Sequence, residues 1–372
     1  MSRVLVITTS LRAGSNSDIF AERLIAGAKD AGHEVSGATM LLWREGRYKG
    51  GARDACFGPN EAKDAAEAAA LCGKLGIPYR TFDCADAYER LVIAPWRAAF
   101  LDGRTPNPCV RCNAAMKFGA LPGLAREAGV SFDAFATGHY ARVERGPDGR
   151  TRLLRAVDRT RDQSYFLYRL SQAQLARQVF PLGGLEKTEV RRLARDRGLL
   201  AVADKPDSQD FYSGERDELI GEPDRPGDIV DETGRVLGRH DGFWKYTVGQ
   251  RRGLALANPA GSAASEPLYV VGVDPCANRV VVGPRPATVT NAFRAGDCNW
   301  VSVPPPAPGA AFGCAVKIRS VGEPVPGATV RAAADGTVRV EVPAGLSGVA
   351  PGQSAVFYDG EAVLGGGFIL RD

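Results

Sequence analysis

Two rhythms of apolar and polar positions divide the chain. Residues 3–7 (RVLVI) form a β-branched run that predicts a strand, ended by a Thr/Ser/Gly/Asn-rich segment. Ile19, Phe20, Leu24, Ile25 and Ala28 then recur at helical spacing, and Gly32 stands where a helix stop is expected. An apolar stretch over 34–43 completes strand, loop, helix, strand. Residues 60–75 predict an Ala-rich helix stopped by Gly76, followed by a strand over 77–82. Residues 117–128 predict a helix interrupted at Pro122-Gly123, followed by a strand over 132–137. Strands alternating with helices predict an α/β doubly wound parallel sheet, with ligands near the carboxyl ends of its strands.

Around residue 210 the texture changes to short segments punctuated by Gly, Pro and Asp, such as GEPDRPGDIVDETGRVLG, which predict a small β-rich connector. From about 286 onward, alternating runs such as TVRVEVP and SAVFYDGEAVLGGGF predict a compact antiparallel β-barrel. VPPPAPGAAFG reads as a loop. The expected division is a nucleotide-binding α/β domain over 1–209, a connector over 210–285 and a C-terminal barrel over 286–372. No solenoid-type repeat is visible.

Composition narrows the class. The 372 residues are 44% apolar and 24% charged, which fits a globular chain and not a disordered or collagenous one. No apolar run approaches the roughly 18 residues of a membrane span, and the N-terminus lacks the features of a signal peptide, so a cytoplasmic location without membrane contact is expected. A net charge of +4 leaves a polyanionic partner open. Eight cysteines are too sparse for a disulfide scaffold, but five of them, Cys56, Cys72, Cys84, Cys109 and Cys112, lie in the first third.

The sharpest local feature is TPNPCVRCN (105–113), where two prolines precede a CxxC that opens a helical segment. Arg111 and a helix N-terminus would both favour thiolate, the form that attacks sulfur or carbon and ligates metal. The bland alternative is a pair of ordinary buried thiols. A second CxxC is absent, which disfavours a four-cysteine zinc site. Polar groups are also dense in ATGHY (136–140), RDQSYFLY (161–168) and KPDSQD (205–210). Arg161 and Gln163, with the aromatics beside them, suit a phosphate backbone and a stacked base, while Tyr165, Phe166, Leu167 and Tyr168 equally suit a core. His139 is either a ligand contact after a strand or a satisfied structural histidine.

From about Gly37 to the C-terminus the chain resembles the bacterial tRNA 2-thiouridylases. GATMLLW, GRTPNPCVRCNAAMKFG, ATGHYARV, RDQSYFLYRL, FPLGGLEKTEVRRLA, KPDSQD, YTVGQRRGL, YVVGVD and PGQSAVFYDGEAVLGGG occur in that family's order. The resemblance implies ATP-dependent adenylation of the wobble-uridine C2 oxygen, followed by attack of a cysteine-borne sulfur and departure of AMP. Cys112 takes the nucleophile position, and Cys109 joins it as a catalytic candidate. Asn107 and Pro108 fall beside the target base. His139, Arg161, Asp162, Gln163, Arg319 and Gln353 match tRNA-contacting positions, and Met40 and Gly138 match the nucleotide pocket. ATP, Mg2+, tRNA and a sulfur-donor protein or sulfide source are the implied ligands and partners.

Two departures accompany the resemblance. KPDSQD normally leads into Ile-Cys-Phe, whose cysteine relays sulfur, but here Asp210 runs into Phe211-Tyr212-Ser213-Gly214. Cys109 and Cys56 are candidates to replace that cysteine; alternatively, Cys56, Cys109 and Cys112 would ligate an iron–sulfur cluster. The second departure is the opening loop, TTSLRAGSNSD (8–18), where the family has Ser-Gly-Gly-x-Asp-Ser. Residues 1–36 resemble the start of NADPH-dependent FMN reductases. Ser10, Arg12, Ser15, Asn16 and Ser17 supply donors for a nucleotide phosphate, whereas FMN is not expected because no flavin-ring site follows. Alternatives left open are a diverged or impaired member, a paralogue with another sulfur acceptor, a flavin-dependent reductase, and a tRNA- or nucleotide-binding protein without adenylation.

Overall fold

The computed structural model describes residues 2–7, 25, 27–53, 55–195, 210–254, 256 and 266–371. Before residue 213 it contains β1 (Arg3–Ile7), β2 (Glu34–Leu41), β3 (Ala55–Phe57), β4 (Tyr79–Asp83), β5 (Ala134–Ala136), β6 (Ala141–Arg145), β7 (Thr151–Arg155), β8 (Gln178–Val179) and β9 (Asp210–Tyr212). Five of these form the expected parallel sheet, in the order β4-β2-β1-β5-β8. The chain leaves β1 toward β2 on one side and reaches β5 on the other, so β1 flanks the topological switch where such sheets bind ligands. Val4, Leu5 and Val6 are all buried, as a strand covered on both faces requires.

The helix 85–101 follows β4, and the helix 108–127 follows a short loop. Each carries a π-helical stretch, Glu89–Ile93 in the first and Cys112–Ala120 in the second. The interruption expected at Pro122-Gly123 does not occur, and the helix runs on to Glu127. Pro122 has no N–H for the Phe118 carbonyl four residues back. The Gln174 side chain supplies the missing donor, its Nε2 reaching Phe118 O at 2.9 Å and Ala114 O at 3.0 Å.

The connector is a four-stranded sheet of β10 (Gly227–Asp231), β11 (Val236–His240), β12 (Tyr269–Asp274) and β13 (Arg279–Gly283), in the order β11-β10-β13-β12. The barrel comprises β14 (Val289–Asn299), β15 (Ala311–Lys317), β16 (Val325–Ala332), β17 (Val338–Ser347), β18 (Ser354–Asp359) and β19 (Ala362–Ile369). Antiparallel pairing runs β14-β17-β16-β15-β18-β19 and closes through β14–β19, leaving no open edge around Val316, Val330, Val340 and Phe357.

The hairpin β6–β7 joins this barrel and not the parallel sheet, pairing Leu154 with Ala362 and Leu153 with Val363. The segment after it is welded to β18: Tyr165 OH donates to Ser354 O at 3.0 Å, and Tyr168 OH lies 3.2 Å from Ser354 Oγ. Both rings are fully buried, so the core alternative holds for Tyr165 and Tyr168 and neither can stack a base. No helix among the described residues is long and apolar enough to cross a membrane.

Candidate active site

The CxxC segment is shaped by its own residues. Asn107 is the N-cap of the helix 108–127, accepting a hydrogen bond from Cys109 N at 3.1 Å, and Pro108 occupies the first turn, where no N–H is required. The loop before it docks on the barrel. Thr105 N donates to Pro351 O at 2.7 Å, and Gln353 Nε2 donates to Thr105 O at 2.8 Å. Gly352 has φ near +89°, and a Cβ there would fall 3.0 Å from Thr105 N, so a side chain would be strained and would push the loop away.

Cys109 and Cys112 interact electrostatically with each other and with Cys56 on β3, and Tyr88, in the first turn of the helix 85–101, interacts with all three. Cys84, directly after β4, interacts with Cys112. β3 pairs in parallel register with β9, Phe57 opposite Tyr212. Cys56 is therefore beside Phe211-Tyr212, the stretch from which the relay cysteine is missing. Phe57 packs on both Tyr88 and Tyr212, with centroids 5.0 and 5.7 Å away. Tyr88, Cys84 and Lys117 were not singled out from the sequence. Lys117 follows Cys112 by five residues, a spacing that stacks only across a π-helical turn.

The expected lowering of the thiol pKa values is not what the fold produces. Burial pushes Cys109 up to about 12, with further rises from Cys56 and Cys112, and pushes Cys112 up to about 11. Lys117 is the cation that opposes this at both thiols. Arg111 is drawn elsewhere, its guanidinium 5.3 Å from the centre of the Phe368 ring on the barrel. Burial also keeps the Tyr88 phenol protonated. Among the described residues, no group of three or more His, Cys, Asp or Glu side chains is arranged to hold a single metal ion.

Met40, buried near the carboxyl end of β2, and Gly138, just beyond β5, stand on either side of β1 at one edge of the sheet. The loop leaving β1 starts between them. Its Ser10, Arg12, Ser15, Asn16 and Ser17 lie outside the described residues, as does most of KPDSQD. Cys84 and Tyr88 follow the carboxyl end of β4, so they share that sheet edge with Met40 and Gly138.

His139 is buried, its Nδ1 2.8 Å from Thr137 Oγ1, and packs against Phe118 and Phe180. Burial and Lys117 hold its pKa well below the usual histidine value. Asp162 is also buried and accepts from Ala156 N, Ser164 N and Ser164 Oγ, with Arg155 Nε 3.4 Å away. Gln163 Oε1 accepts from Tyr140 N at 2.9 Å. Arg161 lies in the same turn, with its N–H on Asp158 O. On the barrel, Arg319 donates to Ser347 O and Gly348 O at 3.3 and 3.2 Å.

Three family profiles match the chain in succession: a tRNA methyl transferase HUP domain over residues 5–212, a tRNA methyl transferase PRC-barrel domain over 220–284 and an aminomethyltransferase β-barrel domain over 290–369. The chain is 40% identical to a tRNA-specific 2-thiouridylase MnmA of Endomicrobium trichonymphae over the full length of both. It is 44% identical to the protein of the same description from Chloroflexus aurantiacus, over 100% of this chain and 99% of the relative. Against that of Geotalea uraniireducens it is 41% identical, over 98% of this chain and 94% of the relative. The first two matches include residues 1–36.

Proposed function

Because the chain belongs to the tRNA-specific 2-thiouridylase family, we propose that its buried thiols deliver sulfur to C2 of the wobble uridine of tRNA. The protein is a tRNA-uridine 2-sulfurtransferase, an enzyme that transfers a sulfur-containing group to tRNA. ATP binds at the carboxyl edge of the sheet between Met40 and Gly138, with Ser10, Arg12, Ser15, Asn16 and Ser17 at its phosphates and Mg2+ accompanying it. The uracil C2 oxygen attacks the α-phosphorus and pyrophosphate leaves. A persulfide on Cys112, formed when the Cys112 thiolate takes the outer sulfur of a persulfide-bearing donor protein and releases the donor's thiolate, attacks C2 through its outer sulfur, and AMP departs with the old oxygen. A second thiol, Cys109 or Cys56, then attacks the Cys112 sulfur, releasing the 2-thiouridine and leaving a protein disulfide that a dithiol reductant must reopen.

Asn107 and Pro108 shape the helix start beside the target base. Arg161 and Arg319 meet tRNA phosphates, while His139, Asp162, Gln163 and Gln353 act on tRNA through the loops they hold. The division into 1–209, 210–285 and 286–372 assigns nucleotide, connector and anticodon-arm roles in turn, in a cytoplasmic enzyme. The observation that supports this reading is that β3 pairs with β9, setting Cys56 beside the place of the missing cysteine, where it interacts electrostatically with Cys109 and Cys112 at the start of the helix 108–127. Mass analysis of a wobble-uridine tRNA transcript after incubation with ATP, a persulfide-bearing sulfur-donor protein and a dithiol tests it. Expected are AMP, pyrophosphate and a uridine heavier by the exchange of oxygen for sulfur; Cys112→Ser should lose the heavier uridine. tRNA binding without AMP formation would favour the non-adenylating alternative.

A further inference from the structure

Release of 2-thiouridine needs a second thiol to open the Cys112 adduct, and the position of the family's relay cysteine, second after KPDSQD, is taken here by Tyr212. That phenol is occupied: it accepts from Gly50 N at 3.2 Å and donates to Glu218, while its ring packs on Phe57. The segment that follows is fastened along β3. Ser213 N donates to Phe57 O at 3.1 Å, Ser213 Oγ accepts from Gly51 N at 3.1 Å, and Arg53 reaches Ser213 O, Gly214 O and Glu215. Gly58 permits this approach, since a Cβ there would fall 2.4 Å from Ser213 Oγ.

β3 thus lies against the vacated position, and its alternation turns one thiol outward. Ala55 and Phe57 are buried, whereas Cys56 between them is exposed and can pass its proton straight to water. It interacts electrostatically with both Cys109 and Cys112. Cys109 is the rival, one turn before Cys112 on the same helix. Burial and the two neighbouring sulfurs push it up to about 12, so about one thiol in ten thousand is ionised at pH 8.

We infer that Cys56 is the catalytic residue that resolves the adduct: its thiolate attacks Sγ of Cys112, the bond from that Sγ to the outer sulfur breaks, and a Cys56–Cys112 disulfide remains. The outer sulfur keeps the electron pair and leaves as the C2 sulfur of 2-thiouridine, whose ring takes a proton from water. A dithiol then reduces the disulfide. The assignment rests on the thiolation reading, and a single turnover separates the two. The full chain is loaded by a persulfide-bearing donor protein, freed of donor, mixed with ATP and a wobble-uridine tRNA transcript without dithiol, quenched in acid, and mapped by mass spectrometry of its non-reduced peptides. One Cys56–Cys112 disulfide per 2-thiouridine is expected. In Cys56→Ser, a near-isosteric change at an exposed position, release should slow about a hundredfold, with tRNA held on Cys112 until dithiol frees it. Formation of 2-thiouridine with a Cys109–Cys112 disulfide in the unaltered chain, or release from Cys56→Ser at the unaltered rate, would overturn the assignment alone. No 2-thiouridine from the unaltered chain, even after dithiol, would overturn the thiolation reading and the assignment with it.

Discussion

Cys112 should be a slow nucleophile in the free enzyme, contrary to what a Pro-capped CxxC helix suggests. With its pKa pushed to about 11 against an ordinary 9.0, roughly one thiol in a thousand is ionised at pH 8, compared with roughly one in ten for an unperturbed cysteine. Alkylation by iodoacetamide, followed at the Cys112 peptide by mass spectrometry, should therefore run roughly a hundredfold slower than in an unfolded control at pH 8, and should climb steeply toward pH 11. Lys117→Met removes the charge that stabilises the thiolate, so the inflection should move up and the rate at pH 8 should fall further. Cys56→Ser removes a neighbour that raises the Cys112 pKa and should move the inflection the other way. An inflection near pH 7 would refute burial as the dominant cause, and a rate indifferent to Lys117→Met would remove Lys117 as the opposing charge. The functional corollary is that sulfur loading waits for a partner or substrate that desolvates the site differently or adds positive charge.

Three further outcomes are expected. Burial holds the His139 pKa well below its ordinary 6.5, so the unfolded chain takes up a proton below that pH while the folded chain does not, and stability should fall as pH drops from about 7 to 5. His139→Asn should flatten that acid limb in urea unfolding. Asp162→Asn removes the buried partner of Arg155 but leaves its pair with Glu323 at 2.6 Å, and should cost about 1–2 kcal/mol in the same assay. For tRNA, Arg161→Ala and Arg319→Ala should each reduce the slope of log affinity against log salt by about one, measured by filter binding; unchanged slopes would remove them from the phosphate contacts.

Much of this protein was legible one residue at a time. The parallel sheet, the connector and the barrel follow from local hydrophobic period and turn chemistry, which each short segment carries alone. The likeness of the CxxC segment to the 2-thiouridylases was equally visible, because it is a string of contiguous residues. What the chain could not reveal locally depended on partners distant in sequence. Pro122 marks a break by its chemistry, yet Gln174, 52 residues on, gives Phe118 O its donor, and the helix continues. Arg111 adjoins two cysteines in sequence, yet Phe368 draws its charge away and burial raises the thiols. Cys56 is one of two candidates for the missing cysteine in the sequence, and only the pairing of β3 with β9 sets it beside that place. Local pattern determined which elements form; long-range desolvation and hydrogen bonding, which depend only on what packs against each group in three dimensions, decided how its reactive groups behave.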